Sequence, residues 1–131
     1  MPPALRDPED PTEWLRRARS NLARARADRN VPDAILEDLC FDCQQAAEKA
    51  LKALLLHRKL PCPRTHVVTD LLTLLKEGGV EVPEGIRQAG NLTQYAVQAR
   101  YPGGGEDVTG EEYVLALAMA EDVVRWVERS L

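Results

Sequence analysis

A run of apolar residues spaced three and four apart constrains the fold of this chain more than any other feature. It extends over about residues 32–59 and consists of Leu36, Leu39, Cys40, Cys43, Ala47, Ala50, Leu51 and Leu54. That spacing places them along one side of an α-helix. At about 1.5 Å per residue the helix is about 40 Å long, and Pro61 and Pro63 end it. The chain is therefore built around one long amphipathic helix, whose apolar side must be buried against other elements.

The opposite side of this long helix is polar. It carries Glu37, Asp38, Gln45, Glu48, Lys49 and Lys52. Glu48 precedes Lys52 by four residues, a spacing and polarity that suit an ion pair along a helix surface. We expect these side chains on the face away from the core.

The N-terminal segment predicts a second amphipathic helix, rich in arginine. In Asp10-Pro11-Thr12-Glu13, the aspartate can cap the helix, the proline suits its first position, and the glutamate can close a capping box. We expect the helix to end near Arg29-Asn30. Residues 1–30 hold seven of the 17 basic residues, all arginine, against five of the 21 acidic ones. This basic surface is either a solvated helix face or a docking strip for phosphates or an acidic partner.

Three more helices are predicted downstream. A short one opens at residue 65 or 66 and ends at Gly78-Gly79, because glycine suits the left-handed turn after a helix. The next runs from Pro83 to the break at Pro102, and Thr109-Gly110-Glu111-Glu112 predicts a capping box for the last. No alternating strand pattern of useful length competes. The predicted fold class is all-α, an up-and-down bundle of four main helices plus one short helix.

Length and composition predict a single domain. The 131 residues are a common size for one core, so we expect one domain over residues 1–131 with a flexible segment at residues 1–9. A net charge of −4 argues against wholesale electrostatic binding of nucleic acid. No stretch approaches the roughly 20 apolar residues that a membrane span requires. Three cysteines, an odd number, fit reduced thiols better than a disulfide framework, so we expect a cytoplasmic protein.

The cysteines and histidines are candidate metal ligands and candidate catalytic residues. Cys40 and Cys43 form a C-x-x-C motif, with His57, Cys62 and His66 downstream, which permits a zinc-site interpretation. Both motif cysteines, however, lie on the apolar side of the long helix, where cysteine acts as a small hydrophobe. We therefore expect core packing and no metal or other cofactor. For the histidines, structural roles are favoured over acid–base catalysis, and no catalytic residue is assigned.

A cluster near the end of the fourth predicted helix is the most informative candidate site. Tyr95, Arg100 and Tyr101 are followed by Pro102 and a run of glycines. An arginine offers a planar fork to phosphate or carboxylate, and tyrosine rings can stack on bases. The alternative is a helix terminus whose Arg100 is held by a carboxylate of the long helix. The sequence fits both interpretations.

Three segments together resemble the HEPN domain family, named for "higher eukaryotes and prokaryotes nucleotide-binding". They are residues 42–55, which include Gln-Gln-Ala-Ala-Glu-Lys-Ala-Leu-Lys, then Pro63-Arg64-Thr65-His66, then Tyr95 through Gly103. The resemblance implies a bundle of four main helices plus a short one, paired as a homodimer. Many such proteins are encoded beside a minimal nucleotidyltransferase as a toxin–antitoxin-like pair. Several are metal-independent ribonucleases, with an arginine and a histidine separated by four to six residues.

This sequence departs from that ribonuclease pattern. Neither His57 nor His66 follows an arginine at the required spacing, and no histidine follows Arg100. The catalytic pair of the family therefore cannot be carried over.

We expect a non-catalytic module that binds nucleotide or RNA, docks a nucleotidyltransferase, or does both. The predicted contact residues are Arg100, Tyr101 and Tyr95, with Lys49 and Gln45 of the long helix nearby. The alternatives are a metal-independent ribonuclease with an atypical site and a purely structural interaction dimer.

Overall fold

The fold is a bundle of α-helices centred on one long helix. The computed structural model describes residues 7–97 and 107–131. Its helices are α1 (Pro11–Ala27), α2 (Leu36–His57), α3 (Val68–Glu77), α4 (Glu84–Arg87), α5 (Gln94–Val97) and α6 (Gly110–Ser130), with 3₁₀ turns at Asp28–Asn30 and Gln88–Thr93. Residues 7–97 and 107–131 contain no strand. The all-α class and the helical bundle are confirmed.

Helix α2 lies at the centre of the core and contacts α1, α3, α5 and α6. Its apolar side carries small residues that are fully buried: Ala46, Ala47, Ala50 and Ala53. Small side chains let neighbouring helices approach closely, and the leucines between them fill the remaining space. The predicted apolar stripe of the long helix is therefore the core of the domain.

Two helix starts lie later in the chain than predicted. Helix α2 begins at Leu36 and not near residue 32, because Asp33 has a φ of 68°, a left-handed conformation that a helix cannot contain. Helix α3 begins at Val68, since the Thr65 hydroxyl accepts a hydrogen bond from the Val67 amide at 3.1 Å and holds this stretch in a turn.

Helices α2 and α3 end in the same reversal of the backbone. The Leu60 amide donates to the Leu55 carbonyl, and the Val80 amide donates to the Leu75 carbonyl, both at 2.9 Å. These six-to-one bonds satisfy carbonyls that the helix end would leave unpaired. In α3 the left-handed position is Gly79, with a φ of 90°, as the sequence predicted.

The fourth predicted helix is wrong as one continuous element over residues 84–97. The chain forms α4, then the 3₁₀ turn Gln88–Thr93, then α5. Gly90 lies against α3, where an added Cβ atom would be 2.8 Å from the Thr69 hydroxyl oxygen. The Thr93 hydroxyl accepts from the Val68 amide at 3.0 Å. Contacts with α3 therefore override regular helix geometry here.

Predicted caps are found at two helix starts. The Asp10 side chain accepts from the Thr12 amide at 2.9 Å, and Thr109 and Glu112 form a complete capping box. Glu13, which we expected to close a box with Asp10, instead binds Arg16 and Arg17. At the N-terminus, the Trp14 indole donates to the Pro8 carbonyl at 2.6 Å.

Candidate functional site

The arginines of α1 and of the turn after it are largely engaged in contacts within the fold. These contacts are Arg16 and Arg17 with Glu13, Arg19 with Glu128, Arg24 with Asp42, Arg26 with Glu121, and Arg29 over the Tyr113 ring. Three of the six join α1 to α2 or to α6, and the contact of Arg29 joins the turn after α1 to α6. Exposed pairs of this kind contribute about 0–1 kcal/mol each. Much of the basic surface predicted from sequence therefore helps to hold the helices together.

A chain of hydrogen bonds connects α1 to the polar side of α2. The Lys49 Nζ atom donates to Asn21 Oδ1 at 2.8 Å, and Asn21 Nδ2 donates to Asp42 Oδ1 at 2.9 Å. Arg24 approaches the other oxygen of Asp42 at 3.8 Å. Asn21 and Asp42 are both buried. Lys49 is thus held in a fixed position at the α1–α2 junction.

Lys49 interacts with two negative and two positive side chains. Burial lowers its pKa, and the positive charges of Arg17 and Arg24 lower it further, against the opposing effects of Glu48 and Asp42. Gln45 lies one turn before Lys49 on α2, and both are half-buried. We call Arg17, Arg24, Gln45 and Lys49 the cationic face.

A second set of hydrogen bonds begins at Gln45 and leads along α2. Gln45 Nε2 donates to Gln44 Oε1 at 2.7 Å. Gln44 is fully buried, and its own Nε2 donates to Glu48 Oε1 and to the His66 carbonyl, both at 3.1 Å. The cationic face is therefore connected through Gln44 to the loop that precedes α3.

Glu48 is the centre of this second set. Its Oε2 atom accepts from Lys52 Nζ, and its Oε1 atom lies 3.0 Å from His66 Nδ1. Glu48 and Lys52 are 2% and 5% exposed, whereas the His66 side chain is 69% exposed. The Lys52 ammonium also lies 5.4 Å from the Trp14 ring centre, within cation–π range. We call Gln44, Glu48, Lys52 and His66 the Glu48 cluster.

Part of this arrangement follows from the sequence. The Glu48–Lys52 spacing predicted the ion pair, but its expected place on the solvent side was wrong. Trp14 of α1 and the loop before α3 pack over the pair. These contacts cannot be inferred from the spacing of residues on α2. Every buried side-chain nitrogen or oxygen in the described ranges has a hydrogen-bond partner, so the burial is compensated. His66 contacts Glu48 through Nδ1 while most of its side chain is exposed.

The tyrosine–arginine cluster is only partly within the described residues. Tyr95 is 6% exposed, and its hydroxyl lies 3.3 Å from Glu112 Oε2. Burial is the main cause that raises its pKa to about 12. The ring faces are covered, so a base could stack on Tyr95 only if the ring left this position. Arg100 and Tyr101 lie outside the described residues, and their contact role stays a prediction.

The two cysteines of the C-x-x-C motif pack in the core. Cys40 and Cys43 are fully buried, and burial raises the thiol pKa of Cys40 to about 12 and that of Cys43 still further. Cys62 is half-buried. Among residues 7–97 and 107–131, no group of three or more His, Cys, Asp or Glu side chains is placed to hold a metal ion. No helix in these ranges combines the length and apolar character needed to cross a membrane.

The comparison with known families settles the classification. The family model for the HEPN domain matches residues 12–130. The chain belongs to the HEPN domain family. Its fold is similar to the crystal structure of an archaeal HEPN homologue, with a TM-score of 0.73 and 25% sequence identity. The match covers 92% of this HEPN domain and 97% of that chain, and no curated protein matches.

Proposed function

We propose that this HEPN domain is a non-catalytic module that binds a nucleotide or RNA through its cationic face. The observation that carries the proposal is the approach of Lys49 and Arg24 to the same buried Asn21–Asp42 pair, at 2.8 Å and 3.8 Å, with Arg17 near enough to interact with Lys49. Clustered cations attract phosphate groups, and here they do so on a chain whose net charge is −4.

The charge balance at this face favours an anionic ligand. Glu13 is divided between Arg16 and Arg17, and Asp42 serves Arg24 directly and Lys49 through Asn21. In these pairings four cationic side chains share two carboxylates. A phosphate would supply negative charge and several acceptor oxygens, because guanidinium and ammonium groups both donate well to phosphate.

The contact patch predicted from sequence extends this proposal. Arg100 would supply a bidentate contact to phosphate, and Tyr101 would supply a ring for base stacking. Tyr95 would position the end of its helix through its contact with Glu112. Substitution of Arg100 by alanine should then weaken binding as much as a substitution on the cationic face.

The test is a calorimetric titration with ATP, GTP and a short single-stranded RNA. Lys49→Gln and Arg24→Gln should each weaken binding at least about tenfold. For RNA, each lost phosphate contact should reduce the slope of log K against log salt by about 0.7. Lys76→Gln, an exposed lysine on α3, is the matched control and should bind like wild type. Absence of saturable binding by all three ligands would overturn the proposal.

We also propose the partners that the family resemblance implied: a second copy of the chain, and a minimal nucleotidyltransferase in a toxin–antitoxin-like pair in the cytoplasm. Sedimentation equilibrium should give twice the 14.6 kDa mass of one chain. Co-expression with a neighbouring nucleotidyltransferase gene should yield a stable complex. A monomer at all concentrations, or no co-purification, would contradict the corresponding part of this proposal.

One observation favours the alternative, a metal-independent ribonuclease with an atypical site. Glu48 holds Nδ1 of His66, and the ring is exposed, an arrangement that can orient a general base. Purified protein would be incubated with RNA and a chelator. Cleavage that is lost in His66→Gln would support this alternative, and intact RNA at high protein concentration would exclude it.

A further inference from the structure

The Glu48 cluster gains a surplus of positive charge when His66 takes up a proton. Lys52, 3.0 Å from the Glu48 carboxylate, already neutralises it. The third donor, Gln44, is uncharged. A protonated His66 would therefore place one unbalanced positive charge at the exposed edge of the cluster. An anion on the outer side of the imidazole would restore the balance.

His66 is held in place although its ring is exposed. Its carbonyl accepts from Gln44, and its Nδ1 atom is fixed by Glu48. The preceding residue, Thr65, is tied to Asp70 of α3 by a 3.3 Å hydrogen bond. An exposed side chain normally loses rotamer freedom when a ligand binds, and this one has already lost it. With Nδ1 engaged, the ring nitrogen available to a ligand is Nε2.

The charged and titratable groups around His66 come from three elements. Helix α2 contributes Glu48 and Lys52, and α3 contributes Asp70. The loop before α3 contributes Arg64, which lies two residues before His66 in the sequence. It also contributes Cys62, whose thiol interacts with Lys52 and Glu48. Two of these groups are carboxylates, Glu48 and Asp70, and two are cations, Lys52 and Arg64. A bound phosphate would add to the first group.

We propose that His66 is a second anchor for the phosphate-bearing ligand, and that ligand binding is coupled to the uptake of a proton by His66. This inference rests on the proposed function and adds a residue and a pH dependence to it. The proton comes from solvent. In the complex, Nδ1–H donates to Glu48 and Nε2–H donates to an anionic oxygen of the ligand. The connection through Gln44 and Gln45 places this anchor at the edge of the cationic face.

Binding should therefore be tighter at pH 6 than at pH 8, because the complex holds a proton that the free protein must take up from solvent. One proton per ligand limits the gain to about tenfold per pH unit. The probe is a 2′-O-methyl octauridylate without a terminal phosphate, because its phosphodiesters do not titrate in this range and its backbone resists cleavage. Titrations at pH 6 and pH 8, in buffers of different ionisation enthalpy, give both affinity and proton uptake.

The chain offers a matched control, because His57 is its other histidine and lies exposed at the end of α2. Wild type and His57→Gln should bind at least about fivefold more tightly at pH 6 than at pH 8, with proton uptake. His66→Gln should bind with the same affinity at both values and take up no proton.

Three results would overturn the inference. Equal pH dependence in wild type and His66→Gln would show that His66 is not part of the site. Loss of the pH dependence in His57→Gln would assign the proton uptake to His57. If ATP binds and octauridylate does not, the same comparison is made with ATP, whose own protonation is common to both proteins. Equal pH dependence of ATP binding in wild type and His66→Gln would again overturn the inference. No binding of any probe would overturn the proposed function and this inference together.

Discussion

The Tyr113 hydroxyl donates a hydrogen bond of 2.6 Å to the main-chain carbonyl of Ala25, and both residues are buried. The contact joins the first turn of α6 to the last turn of α1, 88 residues apart in sequence. Arg29 lies over the same ring, 5.7 Å from its centre. One tyrosine thus fixes how α1 and α6 meet at this end of the bundle.

Tyr113→Phe should destabilise the domain by about 1–2 kcal/mol, because the Ala25 carbonyl would lose a partner that water cannot easily replace. Urea denaturation measures the change. Tyr95→Phe is the matched control. The Tyr95 hydroxyl donates a longer hydrogen bond, 3.3 Å, to Glu112, and because Glu112 is exposed, water can replace the lost donor. The loss there should stay below about 0.5 kcal/mol. Equal losses of unfolding free energy in Tyr113→Phe and Tyr95→Phe would mean that the Tyr113–Ala25 hydrogen bond is no more stabilising than an exposed one.

Tyr95 predicts a loss of stability at alkaline pH. Burial raises its pKa from 10.0 to about 12, so the unfolded chain releases this proton at lower pH than the folded one. Stability is therefore unaffected below pH 10 and falls as the pH rises from 10 to 12. Urea denaturation across this range should show the decline, and Tyr95→Phe should reduce it. An unchanged decline in the variant would show that Tyr95 is not the cause.

Lys52→Met should be strongly destabilising, by about 3 kcal/mol, because it leaves the buried Glu48 carboxylate without its ammonium partner. The double variant Glu48→Gln/Lys52→Met should recover part of this loss, since the remaining buried group is neutral. Equilibrium unfolding in urea measures both.

The exposed Arg87–Glu84 pair is the control for this measurement. Its side chains are 49% and 83% exposed, so Arg87→Gln should change stability by less than about 0.5 kcal/mol. A Lys52→Met variant as stable as Arg87→Gln would mean that the Glu48–Lys52 pair is not buried in solution.

Gly90→Ala should destabilise the domain by about 1–3 kcal/mol, because the new Cβ atom would lie 2.8 Å from the Thr69 hydroxyl oxygen. Adding Thr69→Ala should restore much of the loss. Gly85→Ala is the control: nothing lies within 4 Å of its added Cβ atom, and it should be neutral or slightly stabilising. Thermal unfolding compares the variants, and a tolerated Gly90→Ala would contradict the close contact.

The three cysteines should react with a thiol reagent in a fixed order. Burial raises the thiol pKa at Cys40, Cys43 and Cys62, but only Cys62 is partly exposed. Because the thiolate is the reactive form, Cys62 should react first and the other two only when the domain unfolds. Absorbance of the released thiolate measures the number of reactive groups. A fast phase that persists in Cys62→Ser would refute this order.

The helices and most of their ends could be predicted because the information is local. An apolar residue every three or four positions identifies the buried side of α2, and the caps at Asp10 and Thr109 involve partners within three residues. Gly79 likewise marks the end of α3 by its own backbone conformation. The same local signals did not reveal the left-handed Asp33, which delays the start of α2.

The fourth helix shows where local signals are overridden. Its sequence favours a helix, but Gly90 packs closely against Thr69 of α3, 21 residues earlier in the sequence. The segment forms a 3₁₀ turn there. The energy of packing against α3 exceeds the small preference for regular helix geometry.

What the sequence alone determined is therefore the all-α class, the central amphipathic helix and the presence of Gln45, Lys49, Glu48 and Lys52 on one side of it. The tertiary structure alone decided that Glu48 and Lys52 are buried and that His66 joins them with its ring exposed. His66 and Glu48 are 18 residues apart, and Lys49 and Asn21 are 28 apart. Periodicity specifies which face a side chain occupies, but only the packing of other elements decides whether that face meets protein or water.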